Sequence, residues 1–201
     1  MAQRATGKSM KALRRGSCLL VLALWAAGCG PADDPALQSA RDDAAAALAD
    51  GDASKALQLS RRALTISGDD AELMLLAGTA ALDLKRFSDA ADYADRALPL
   101  AASSELKADV RWLQGKALMG RFTELHNEDD WRQANVSLEP ATSAGHHRTD
   151  AALMLVVLQD MSPRGDAARQ LRFARELLVF APDSAEANTV SAYLKQRGID
   201  L

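Results

Sequence analysis

The sequence predicts an all-α chain built from short helical hairpins, and three observations predict it. Small and apolar residues recur at helical spacing, as in Leu73, Leu76, Ala77, Ala80 and Ala81 around Gly78, and again in Ala90, Ala94 and Ala97. Nearly all Gly and Pro fall between such runs, and no strand-like alternation persists. Segments also echo one another: Ala56 and Ala63 stand 34 residues before Ala90 and Ala97, in GDASKALQLSRRAL against RFSDAADYADRAL. Aromatics make up only 4% of the chain, so the helices must pack through small side chains that permit close approach.

The stretch Ala71–Leu98 carries the pattern most clearly. Its two halves are joined by Lys85-Arg86-Phe87-Ser88-Asp89, with Ser88 as the expected N-cap of the second helix. The period, together with Gly78 in the first helix, Phe87 at the turn, and Ala90 and Ala97 in the second, resembles the tetratricopeptide repeat (TPR). That resemblance implies a solenoid of three to four helical hairpins over residues 37–201, finished by a C-terminal capping helix.

Before that body lie two other segments. Residues 1–28 carry five basic side chains (Arg4, Lys8, Lys11, Arg14, Arg15) and no acid, then an apolar run Cys18–Ala27. This is the layout of a secretory signal. A ten-residue apolar run spans only ~15 Å as helix, too short to cross a bilayer. Ala26-Ala27-Gly28-Cys29 resembles a bacterial lipobox, which implies a lipid on Cys29; the alternative is an ordinary signal with an incidental Cys. Outside the apolar run Cys29 is the lone Cys, so no intramolecular disulfide is available after cleavage. Gly30 follows it, and by the lipoprotein sorting rule this implies the periplasmic face of the outer membrane. Residues 29–36 form a short tether. The remaining residues 29–201 hold 19 Lys and Arg against 27 Asp and Glu, a net charge of −8, which argues against nucleic-acid binding.

Along the body, ALQSARDDAAAALAD forms the first helix, its polar Arg41-Asp42-Asp43 turned to water, and Gly51-Asp52 makes the turn. A third hairpin opens with ELKADVRWLQGKALMG, where Gly115 matches Gly78. The register then slips: Ala134 and Ala141 follow Ala90 and Ala97 by 44 residues, with the surplus in Arg121–Asp130, so a longer loop or an extra helical turn is expected there. Trp131 takes the place of Phe87, and Asp129-Asp130 reads as a solvated loop. Thr149 is the expected N-cap of AALMLVVLQDM. Ala167 and Ala174 give the Ala pair a fourth time, and Asp183 with Glu186 forms a capping box before ANTVSAYLKQ.

No catalytic constellation emerges: there is no phosphate-binding glycine loop, no nucleophile elbow and no Cys-x-x-Cys. The adjacent His146 and His147, with His126 in the insertion, make a poor metal set, so neither a metal nor any cofactor beyond the Cys29 lipid is expected. Asn135-Val136-Ser137 matches a glycosylation sequon but falls within an expected packed helix.

The TPR resemblance implies instead a groove, lined by the first helices of successive repeats, that holds a protein or peptide partner. Transferred residue by residue, it comprises Arg41, Leu48, Leu75, Thr79, Leu82, Trp112, Lys116 and Met119, with Trp112 either lining the groove or packing between repeats. The expectation is a non-enzymatic, membrane-anchored scaffold in an envelope assembly (secretion, pilus or export machinery), with a pilotin-like role among those open to it. The alternatives are a regulatory subunit of a cell-wall or envelope enzyme, or a self-associating structural lipoprotein.

Overall fold

The computed structural model describes residues 35–199. The signal segment, Cys29 and nearly all of the tether lie outside the described residues. Nine helices occur among the described residues: α1 (Pro35–Ala49), α2 (Ala53–Ser67), α3 (Ala71–Asp83), α4 (Phe87–Ala97), α5 (Ser104–Leu125), α6 (Glu128–Ala141), α7 (Arg148–Leu158), α8 (Ala167–Phe180) and α9 (Ala185–Gln196).

Consecutive helices from α2 to α9 pack on one another, and α3 packs on α5, α5 on α7, and α7 on α9. The odd-numbered helices therefore form a ladder on which the even-numbered helices are laid. α1 joins it through Ala47, which packs with Ala56 and Leu57 of α2 and Ala77 and Ala80 of α3. Four hairpins and a terminal helix result, a TPR-like all-α fold with the expected number of units.

Small residues set the spacing. Ala56, Ala90, Ala94, Ala97, Ala134, Ala141 and Ala174 are buried, as the repeat requires. A Cβ on Gly78 would collide with Leu113, and one on Gly115 with Leu138. The two glycines that mark the repeat thus open the sockets into which the next helices set a leucine.

Most helix starts are capped by short polar side chains. Asp52, Asp70, Ser103, Asn127, Asp166 and Ser184 each accept from a backbone N–H in the first turn. Three of the expected caps fall elsewhere. Ser88 lies inside α4, which starts at Phe87 behind Arg86 with no side-chain cap. There Lys85 takes a left-handed conformation (φ 56°), and the Phe87 ring lies where a Cβ on Gly120 would sit. Thr149 lies inside α7, which begins at Arg148 because His146 and His147 are both held by α5. Ser184, not Asp183, caps α9, since burial of Ala187, Val190 and Leu194 fixes the helix phase one residue later.

The slip in register is an extra stretch of helix. α5 continues to Leu125, and His126 closes it in the left-handed region (φ 53°). Asp129 and Asp130 are then not loop residues: both sit in the first turn of α6, and Asp130 is 2% exposed, paired with Arg121. Trp131 lies within α6 rather than at a turn, and its indole N–H donates to the Leu158 carbonyl at 2.7 Å. The fourth Ala pair is incomplete: Ala167 is exposed at the start of α8, where Gln170, Phe173, Ala174 and Leu177 are buried instead. Arg41 does not face water either. It binds Asp70 at 2.5 Å and Glu72 at 3.4 Å, tying α1 to the start of α3.

Candidate partner-binding groove

The ladder α1, α3, α5 and α7 places the eight expected groove residues on one run of packed helices, with different accessibility. Leu48, Leu75 and Met119 are half-buried, each resting against the core with one side open. Thr79 is half-buried, and its hydroxyl donates to the Leu75 carbonyl one turn back at 2.8 Å. Lys116 is partly exposed and bound to Asp150 of α7 at 3.0 Å. Arg41 is engaged by Asp70, whose hydrogen bond and charge hold the guanidinium pKa above its ordinary value. Two residues are core: Leu82 is 8% exposed and Trp112 4%. Leu82 is thereby corrected from groove to core, and of the two placements open to Trp112 it takes the packed one, because both belong to the apolar cluster that joins α3 to α5 and α7.

Trp112 is nevertheless the centre of a polar arrangement. Its indole N–H donates to Asp150 Oδ2 at 2.8 Å, and the same oxygen accepts from Lys116 Nζ. Lys116 Nζ also stands 4.8 Å from the Trp112 ring centroid, within cation–π range. The imidazole of His147 lies flat on the indole, with centroids 3.6 Å apart and planes 9° from parallel.

The loop that delivers His147 is fixed by a buried carboxylate. Asp109 of α5 accepts from the His146 backbone N–H at 2.7 Å and from His146 Nδ1 at 2.7 Å. Gly145 precedes them with φ 85°, and a Cβ there would fall 2.5 Å from Asp109 Oδ1. Only glycine serves that position. The hydrogen bond from Asp109, then its charge, raises the pKa of His146, with a smaller push from Glu105. Burial lowers the pKa of His147; Asp109 and Asp150 oppose that shift, while Lys116 and His146 add to it.

Sequence reasoning weighed the histidines as metal ligands and passed over Asp109, Asp150 and Gly145. The available signal was the pairing of a glycine with two consecutive histidines opposite a helix rich in polar residues. Among the described residues no three His, Cys, Asp or Glu side chains are grouped to hold a metal ion. No described helix is long and apolar enough to cross a membrane. Asn135, the sequon residue, is buried and bonded to the Trp131 carbonyl and Gln159.

No protein-family model matches the chain, and no curated protein matches it. Among solved structures it is similar to a crystal structure of MamA protein, at 16% identity and a TM-score of 0.60, over 81% of this chain and 83% of that one. A second crystal structure of MamA gives 16% identity and a TM-score of 0.58, over 78% and 85%. A TPR repeats protein from Bacteroides fragilis aligns at 15% identity over 80% of this chain and 98% of its own, with a TM-score of 0.30, too low to bear on the architecture. At these identities the likeness to MamA is one of fold.

Proposed function

We propose that the chain is a non-catalytic scaffold that binds a protein partner along its odd-numbered helices, as part of an assembly in a bacterial envelope. The observation that carries this reading is the ladder itself. α3, α5 and α7 pack in succession and leave Leu75, Thr79, Lys116 and Met119 half-open along one run of helices. Such a run offers apolar contacts flanked by polar groups to an extended segment or a partner's helix. The envelope setting rests on the sequence alone: the basic and apolar leader and the lipobox-like Ala26–Cys29 support a lipid-anchored protein at the periplasmic face of the outer membrane. The Cys29 lipid is the only non-protein group this reading requires.

The test is photo-crosslinking in cells from positions 79 and 119, followed by mass spectrometry. One envelope protein captured from both positions, and lost when Lys116 and Leu75 are changed together, supports the scaffold; no specific adduct from either ends it. The anchor is tested separately by fatty-acid labelling, which Cys29→Ser should abolish. Labelling that persists in the variant removes the lipid from the proposal.

A further inference from the structure

We infer that the α6–α7 loop is an autoinhibitory cap on this groove, with His147 holding the face of Trp112 that a partner's planar side chain would take. The inference rests on the scaffold reading and gives it a regulatory contact.

Four features of the loop support it. None of the loop residues 142–147 belongs to the apolar core, which ends at Ala141 on one side and resumes at Ala151 on the other. The loop can therefore lift without drawing aliphatic side chains into water. Its attachment is also localised. One carboxylate, Asp109, accepts both His146 bonds, the His146 side chain is 82% exposed, and beyond the stacked ring His147 is held to α7 by its carbonyl, which accepts from the Ala151 N–H at 2.9 Å. The polar frame around the indole stays behind when the loop lifts, because Asp150 and Lys116 belong to α7 and α5. And the loop shows what the slot accepts: a flat ring stacked at 3.6 Å, preceded by a residue whose backbone N–H reaches Asp109 at 2.7 Å. A peptide with an aromatic or His residue can reproduce both contacts, since the N–H comes from the backbone and any planar ring can stack. The occupant is thus a ring-bearing peptide segment that replaces Gly145-His146-His147.

The probe is N-acetylglycyltryptophanamide, whose planar ring follows a residue with a backbone N–H, titrated into the full chain while the Trp112 indole N–H is followed by NMR. Wild type is expected to bind it weakly, because the cap competes. His146→Ala, which removes the Nδ1 bond and leaves His147 in place, is expected to bind roughly ten- to a hundredfold more tightly, the factor spanned by a hydrogen bond to a charged group. His147→Gly, which vacates the slot, should gain at least as much. Asp109→Asn serves as a further latch variant, with its melting curve showing whether it is folded.

If His147→Gly gains nothing, the slot takes no ring and the inference is overturned. If His147→Gly gains but His146→Ala does not, the loop is fixed packing rather than a cap, which also overturns it. Either failure leaves the scaffold reading standing if the crosslinks from 79 and 119 are found. Absence of those crosslinks removes both, since a cap needs a groove to close.

Discussion

Arg121 grips Asp130 with both arms of its fork, Nη2 at 2.7 Å from one carboxylate oxygen and Nε at 3.2 Å from the other. The pair joins the extended end of α5 to the first turn of α6, with the carboxylate at a helix N-terminus, where negative charge is favoured. Removing the cation strands a buried charge. Arg121→Met is expected to destabilise the fold by about 3–5 kcal/mol, whereas Arg121→Met with Asp130→Leu should recover most of that loss. Urea denaturation of the two variants checks it, and equal losses would show that the pair is not the strut described.

The indole of Trp131 is the second tie, to the carbonyl at the end of α7. Trp131→Phe keeps most of the apolar volume but leaves the Leu158 carbonyl with a single donor, the Met161 backbone N–H at 3.2 Å. A loss of about 0.5–1.5 kcal/mol, the net worth of one hydrogen bond, is expected. A neutral outcome in the same urea assay would mean that the Met161 N–H alone satisfies the carbonyl and the indole is no tie.

Gly115 receives Leu138, so Gly115→Ala is expected to cost about 1–3 kcal/mol through overpacking. Adding Leu138→Ala should make the glycine substitution almost free, though the double variant carries the cost of the lost leucine. Thermal melts of the single and double variants form a cycle, and strict additivity would count against the socket.

The histidine pair predicts a pH window for the closed loop. His146 has a raised pKa, so its contribution is full below the ordinary imidazole value and is lost as pH rises through the shifted one. His147 has a lowered pKa, so the stacked neutral ring contributes fully above the ordinary value and is lost as pH falls through the shifted one. Closure is then greatest between the two, and the ring-current shift of the His147 protons should be largest there. A shift that changes monotonically with pH would contradict the arrangement with Asp109, Glu105, Asp150 and Lys116 as the charged neighbours.

The architecture was readable in the sequence because the repeat is written in small residues, whose spacing reflects helix contact directly. Gly78 and Gly115 mark real sockets, and the Ala pairs through Ala141 are buried. Caps were less readable, since Ser88, Thr149 and Asp183 each sit within a residue or two of a true start, and tertiary contacts chose the neighbour. The row of odd-numbered helices was legible, but not which of their side chains it leaves at the surface. Whether Leu82 or Trp112 faces outward depends on what α5, α7 and the α6–α7 loop place over it, and helical spacing within one hairpin holds no record of that.

The 22 residues of α5 outlast the 13 of α3, and the longer helix touches α3 and α4 on one side and α6 and α7 on the other. In an ideal repeat array each unit rests on its neighbours alone, so melting can begin at an end and advance unit by unit. Here α3 and α7 also bridge their neighbours, but only α5 takes part in both glycine sockets and in the Arg121–Asp130 pair. Loosening α5 releases the Leu113 and Leu138 sockets and the Arg121–Asp130 pair at once. The chain should therefore lose its middle in a single cooperative event, with partial opening confined to the outer helices.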